Sequence, residues 1–158
     1  LSQARAFLAA ADGAPGRLLE EFAGKLVDPL TSRPASLDTA ARPKYVVLYM
    51  GAGWCGPCKI FAPKLVQALK DKPPKAGEVA LVYLSGDKTA AEARRYVTDL
   101  GISWPMLSFT RRDQIPAFQG LFGNTIPQLV VTDRHGTVVI DSAKVGQDRA
   151  LAQLRDLL

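Results

Sequence analysis

The chain is poor in cysteine and histidine, with two Cys and one His in 158 residues. Two thiols cannot staple a disulfide scaffold. A structural zinc site needs four ligands, and Cys55, Cys58 and the remote His135 fall short, so no metal and no bound cofactor are expected. Long apolar runs are also missing. The longest, over residues 45–50 and 129–131, are strand-length, against the roughly 20 residues a membrane-spanning helix requires, so a soluble domain is expected. The net charge is +5 and the pI about 9.4, yet the basic residues cluster no further than the pairs Arg94-Arg95 and Arg111-Arg112. Without a basic stripe or an accompanying motif, nucleic acid is excluded as a partner. There is no internal repeat and no low-complexity segment. With 47% hydrophobic and 22% charged residues, the composition is that of one ordinary globular domain.

The pattern divides near residue 40. Residues 2–11 and 17–27 have helical composition around a turn at residues 12–16, the second segment turning extended near residues 25–28 between Gly24 and Pro29. Residues 29–43 read as a loop or covering arm. Residues 1–40 are therefore expected to be a helical extension, and residues 41–158 the main domain. In that domain, the continuous β-rich run at 45–50 suits a strand buried on both faces. A Gly51-Ala52-Gly53 turn leads into a helix over 55–70, with Pro63 inside it. A second buried strand over 78–85 and a helix over 89–100 follow, the latter opened by a Thr89/Glu92 capping pair. Beyond an irregular segment, a short helix is predicted at 117–122, then a hairpin of strands 128–132 and 137–141, and a last amphipathic helix over 147–158. Strand–helix alternation with a closing hairpin predicts an α/β fold, a mixed sheet covered by helices.

The two cysteines stand three apart, in Trp54-Cys55-Gly56-Pro57-Cys58, where a strand ends and a helix begins. That separation lets the sulfurs bond. The free N–H groups and dipole of the helix start favour an anion at Cys55, which lowers its thiol pKa below the free value of about 8.5. Cys58, one turn in, is expected to be more buried. Cys55 is thus the candidate nucleophile and Cys58 the resolving thiol. Two blander readings compete: half of a metal site, for which further ligands are lacking, and a static staple, which a two-residue loop makes weak. The strand–turn–helix setting favours redox chemistry.

Trp54-Cys55-Gly56-Pro57-Cys58-Lys59 followed by Ala62-Pro63 resembles the active-site helix of thioredoxins. Ile126-Pro127 is similar to their cis-proline dipeptide, and Gly136 and Lys144-Val145-Gly146 to their later glycines. The resemblance spans residues 44–158 and implies a thioredoxin-like fold, with Pro127 beside the cysteines and the Ile126 backbone free to pair with an extended substrate. The long interval from Cys58 to Pro127, with Leu84-Ser85-Gly86-Asp87 and Trp104-Pro105 inside it, looks like the tryparedoxin and nucleoredoxin branch, and more loosely the bacterial TlpA/ResA-like proteins. Thioredoxins carry a buried Asp six residues ahead of the first cysteine; here that residue is Tyr49. Asp87, at the end of the neighbouring strand, is the candidate to take the proton of Cys58 through water, the alternative being a turn or capping residue. Trp54 is read as a platform for partner proteins, Lys59 as positive charge near the thiolate, His135 as a surface residue and Trp104-Pro105 as packing.

The expected function is protein dithiol–disulfide exchange without a cofactor, by a monomer acting on protein disulfides and recharged by an external thiol reductant. The Gly-Pro pair resembles the reducing members, which implies a potential nearer about −270 mV than about −120 mV. The alternative is a binding module in which redox activity is secondary. The TlpA-like resemblance implies an extracytoplasmic compartment, for which an absent initiator methionine leaves room, and the tryparedoxin-like one a cytosolic compartment; the first is favoured.

Overall fold

A computed structural model describes residues 21–37, 42–109 and 125–158. Its elements run β1 (Leu26–Val27), β2 (Pro34–Ala35), β3 (Tyr45–Gly51), α1 (Gly56–Asp71), β4 (Val79–Ser85), α2 (Ala90–Leu100), β5 (Met106–Leu107), β6 (Gln128–Asp133), β7 (Val138–Asp141), α3 (Ser142–Val145) and α4 (Gln147–Leu157). Among the described residues the strands form one mixed sheet in the order β2-β1-β5-β4-β3-β6-β7. β3 and β4 are parallel, β5 continues that direction on β4, and β6 and β7 close antiparallel on the other side.

The run at 45–50 is buried on both faces because successive side chains alternate. Val47 and Tyr49, with Tyr83, Leu129 and Val131, enter a core shared with Phe61 and Leu65 of α1, Val97 of α2 and Leu151 and Leu154 of α4. Val46 and Leu48 face the other way, into a second cluster with Val82, Leu84, Phe22, Leu26 and Leu107. Trp104 packs in the first cluster, and His135 is exposed at the β6–β7 turn. Thr89 caps α2, its Oγ1 accepting from the Glu92 N–H at 3.1 Å, and Gly101 ends that helix at φ +71°. Pro63 lies within α1 without ending it.

The segment expected as a helical extension differs where it is described. Residues 26–35 form a β1–β2 hairpin that joins the sheet edge through β5, pairing Leu26 with Leu107. The Asp28 carboxylate closes the turn by accepting from the Leu30 and Thr31 N–H groups, which holds its pKa below the usual range. Arg94 donates to the Leu30 carbonyl and ties the hairpin to α2. Residues 29–43, read as loop, therefore contain a strand. β5 and the short α3 were likewise not predicted. The expected helices over 2–11 and the start of 17–27, and that over 117–122, lie outside the described residues.

Two glycines of the motif region have opposite steric surroundings. A Cβ on Gly51 would meet the Tyr49 hydroxyl at 2.8 Å, whereas one on Gly56 would meet nothing within 4 Å. Gly51→Ala is therefore expected to destabilise the protein by about 1–3 kcal/mol through overpacking. Gly56→Ala should leave stability within about 0.5 kcal/mol. Urea-unfolding midpoints of the two variants check the contrast.

Candidate active site

The parallel pair β3–β4 ends level, with Gly51 opposite Ser85. The chain leaves β3 through Gly51, Ala52 and Gly53 into α1, and that approach turn is fastened to β4 and the β4–α2 turn by four hydrogen bonds. The Gly51 carbonyl accepts from the Gly86 N–H at 2.8 Å and the Tyr83 hydroxyl at 3.0 Å. The Gly53 N–H donates to Asp87 Oδ1 at 2.9 Å, and Trp54 Nε1 donates to the Gly86 carbonyl at 3.0 Å. Asp87 is only 2% exposed, and its Oδ2 accepts from the Ser85 hydroxyl at 3.0 Å. A buried carboxylate survives only with such donors around it.

Cys55 is the N-cap of α1, with an extended backbone, and its Sγ accepts from the Cys58 N–H at 3.2 Å. A sulfur in that position meets one of the unpaired donors of the helix start. Cys55 and Cys58 are joined in a disulfide with their Cα atoms 5.2 Å apart. Cys55 is 5% exposed and Cys58 fully buried, both packed with Ala52 and Ile126. Both cysteines are thus buried, Cys58 the more completely.

The second wall comes from the start of β6. The Ile126–Pro127 peptide bond is cis, and the Ile126 carbonyl oxygen lies 3.6 Å from Cys55 Sγ. This ledge is held from behind. Gln128, buried, donates to Asp141 Oδ1 at 3.0 Å, and the same oxygen caps α3 by accepting from the Ala143 N–H. The Leu129 N–H donates to the Ser142 hydroxyl at 2.8 Å, and Gln147 Nε2 reaches the Pro127 carbonyl at 3.4 Å. None of these supports was identified from sequence. Their one sequence signal is the placement of polar Gln128 and Asp141 in otherwise apolar strands.

Trp54 is 59% exposed. With its indole nitrogen anchored, the ring walls a cleft of about 580 Å³ that is also lined by Lys59, Asp87, Arg95, Tyr96 and Asp99. Pro57 occupies the first turn of α1, where its missing N–H costs nothing. Beneath the approach turn stand three phenols. Burial drives Tyr49 and Tyr83 far above the ordinary tyrosine range, and Tyr96 is pushed up to about 12 by burial, with Asp87 adding to it. All three stay neutral near pH 7, able to donate a proton in a hydrogen bond but not to take one up. Among the described residues no group of three His, Cys, Asp or Glu side chains gathers to hold a metal, and no helix is long and apolar enough to cross a membrane.

The structure therefore brings Trp54, Cys55, Gly56, Pro57, Cys58, Lys59, Asp87, Ile126 and Pro127 to one end of the sheet, at the carboxyl ends of its parallel strands. Two sulfurs there can interconvert between disulfide and dithiol, exchanging two electrons with another disulfide.

A family profile described as thioredoxin-like matches residues 43–138. A probable nucleoredoxin 1 of Arabidopsis thaliana is 34% identical over 97 residues, covering 61% of this chain and 16% of that protein. Mouse nucleoredoxin is 26% identical over 133 residues, covering 83% of this chain and 29% of its own length. The chain thus spans less than a third of these relatives. Among solved structures, tryparedoxin I from Leishmania major superposes with a TM-score of 0.67 at 24% identity, over 92% of this chain and 94% of that one. The profile match covers more than half of the sequence and carries the cysteine pair, and the chain belongs to the thioredoxin-like family.

Proposed function

We propose that this chain is a protein thiol–disulfide oxidoreductase that works as a reductase. The observation that carries it is the placement of Cys55 Sγ at the mouth of α1, 3.6 Å from the Ile126 carbonyl, with Cys58 buried one turn behind. In the reduced protein the Cys55 thiolate attacks one sulfur of a substrate disulfide. A Cys55–substrate bond forms, and the second substrate sulfur leaves as a thiolate and takes up a proton. Cys58 then gives up its proton and attacks Cys55 Sγ, forming the Cys55–Cys58 disulfide and expelling the first substrate sulfur, which is protonated in turn. The dithiol has lost two electrons and the substrate has gained them. An external thiol reductant returns the pair to the dithiol.

The remaining residues take roles around that exchange. Gly56 and Pro57 set the spacing of the two sulfurs, and Lys59 adds positive charge at the cleft beside them. The Ile126 backbone pairs with an extended substrate segment, Pro127 shaping the ledge. Trp54 offers its exposed face to a protein partner, and its anchored nitrogen supports a fixed platform. Asp87 takes the Cys58 proton through water; its burial beneath the approach turn supports this, and the neutral phenols around it leave it the proton-accepting group there. The protein acts as a monomer, its exchange domain including the β1–β2 hairpin that completes one edge of the sheet.

Insulin reduction with dithiothreitol as electron donor tests the reading. Cys55→Ser should abolish turnover, and Cys58→Ser should accumulate a mixed disulfide through Cys55, seen as a mass increase that dithiothreitol removes. Failure of Cys58→Ser to trap any substrate would overturn the assignment. In the reduced protein, alkylation of Cys55 should titrate with a midpoint below about 8.5. Asp87→Asn keeps an acceptor for the Gly53 N–H but loses the proton site. It should slow resolution of the mixed disulfide on the order of a hundredfold while the unfolding midpoint stays close to wild type. Normal resolution in that variant would remove Asp87 from the proton path.

A further inference from the structure

The cleft beside the motif carries charge that the exchange chemistry does not account for. Next to the Trp54 ring it is lined by Lys59 and Lys88, both exposed. Among the described residues neither lysine enters an ion pair or a side-chain hydrogen bond. The attachment points of both are fixed relative to the sulfurs. Lys59 follows Cys58 in α1, and its N–H donates to the Cys55 carbonyl at 3.2 Å. Lys88 stands between Asp87, which accepts from the Gly53 N–H, and Thr89, the N-cap of α2. The bond from Trp54 Nε1 to the Gly86 carbonyl ties these two stretches of chain together. Further along the cleft, Glu92, Arg95 and Asp99 follow one another at three- and four-residue steps on α2. At that spacing opposite charges are neighbours on a helix and offset one another. Asp87, the other carboxyl group of the wall, is buried and tied to Gly53 and Ser85. The end of the cleft at the motif is therefore basic, in a chain whose net charge is +5.

Building on the oxidoreductase reading above, we propose that Lys59 and Lys88 recognise an acidic side chain beside the reacting cysteine of the substrate. The occupant of the cleft is then an acidic segment of a partner protein, and disulfides flanked by Asp or Glu are preferred over neutral ones. An ammonium group on a flexible stem suits this role, since it follows a carboxylate as a point charge without demanding one geometry. Complementary charge around the site also speeds encounter with such a partner. Because both lysines are exposed, each contributes the modest attraction of a surface pair, and salt weakens it.

The test uses the full chain with dithiothreitol, an uncharged donor, and two disulfide-closed peptides of equal length. They are identical except that Glu flanks each cysteine in one and Gln in the other. At about 50 mM salt, where screening is weak, the ratio of kcat/KM for the Glu peptide to that for the Gln peptide should be roughly tenfold. It should approach one at about 1 M salt, where the screening length is about 3 Å. Lys88→Gln should lower the ratio about two- to fivefold, the contribution of one exposed ion pair. Lys59→Glu combined with Lys88→Glu should invert the preference, taking the ratio below one. A wild-type ratio near one overturns the assignment. So does a wild-type preference that survives the double reversal, because a disturbed motif or a less acidic Cys55 would slow both peptides alike. A wild-type protein that reduces neither peptide nor insulin overturns the oxidoreductase reading itself, and this assignment with it.

Discussion

The fastening of the approach turn to the β4–α2 turn is the constraint from which the site follows. Parallel strands end with their carbonyls and following amides at one edge of the sheet, where no further strand can pair them. Here those groups are satisfied by one another: the Gly51 carbonyl by Gly86 and Tyr83, and the Gly53 N–H by Asp87. The position of the first turn of α1 is set by these bonds, and with it the field of unpaired N–H groups in which Cys55 sits. A helix free to start a residue earlier or later would keep its dipole but would not hold a sulfur against the Cys58 N–H. The glycines follow from the same fastening. Gly51 leaves room for the Tyr49 hydroxyl, and a Cβ at Gly53 would sit 3.3 Å from Tyr96 and 3.5 Å from Asp87.

A second anchor meets the first from the opposite side of β3. The antiparallel register sets Met50 against Gln128, so the residues just before β6 arrive beside the approach turn. Ile126 then packs with Ala52 and both cysteines, and its side chain approaches the position a Cβ would take on Gly86 within 3.4 Å. One residue thus touches both the sulfur pair and the turn that fastens it. The polar ties behind it, from Gln128 to Asp141 and from Leu129 to Ser142, hold the ledge at a depth where unpaired amides would be costly. Three adjacent strands, β4, β3 and β6, together define where Cys55 Sγ stands.

Much of this was legible in the chain, because the long elements carry a period and a cap. The continuous run at 45–50, the Thr89 cap and the Cys-Gly-Pro-Cys spacing each act within a few residues, so each can be read locally. The two-residue strands β2 and β5 cannot, and of β1 only the extended backbone between Gly24 and Pro29 can be read, not its partner. Two residues have no period, and Leu26 pairs with Leu107 across most of the domain. The proline-containing segment around β2 also has the composition of a loop. Tyr49 was visible only as a missing carboxylate. That its ring fills the space over Gly51, and leans on Phe61 and Tyr83 with ring centroids 5.8 Å away in each case, depends on contacts between separate elements. Asp87 is legible as a candidate, but its tie to Gly53 is not, since nothing in a linear sequence marks a bond across 34 residues.

The exchange of a carboxylate for a phenol at residue 49 shifts where acid–base chemistry can happen. A buried carboxylate can accept a proton at neutral pH. A buried phenol cannot, since its ionised form would have to be accommodated in the core without solvent. Tyr49 therefore adds packing and a potential donor under the motif, and its hydroxyl has no partner among the described residues. The carboxyl group stands instead just beyond β4, on Asp87, where it accepts from the Gly53 N–H and the Ser85 hydroxyl. Moving the carboxyl group from mid-strand to strand end places it in the same bonds that fix the start of α1. In this protein, the buried carboxyl group beside the motif is thus tied into the same bonds that set where Cys55 stands.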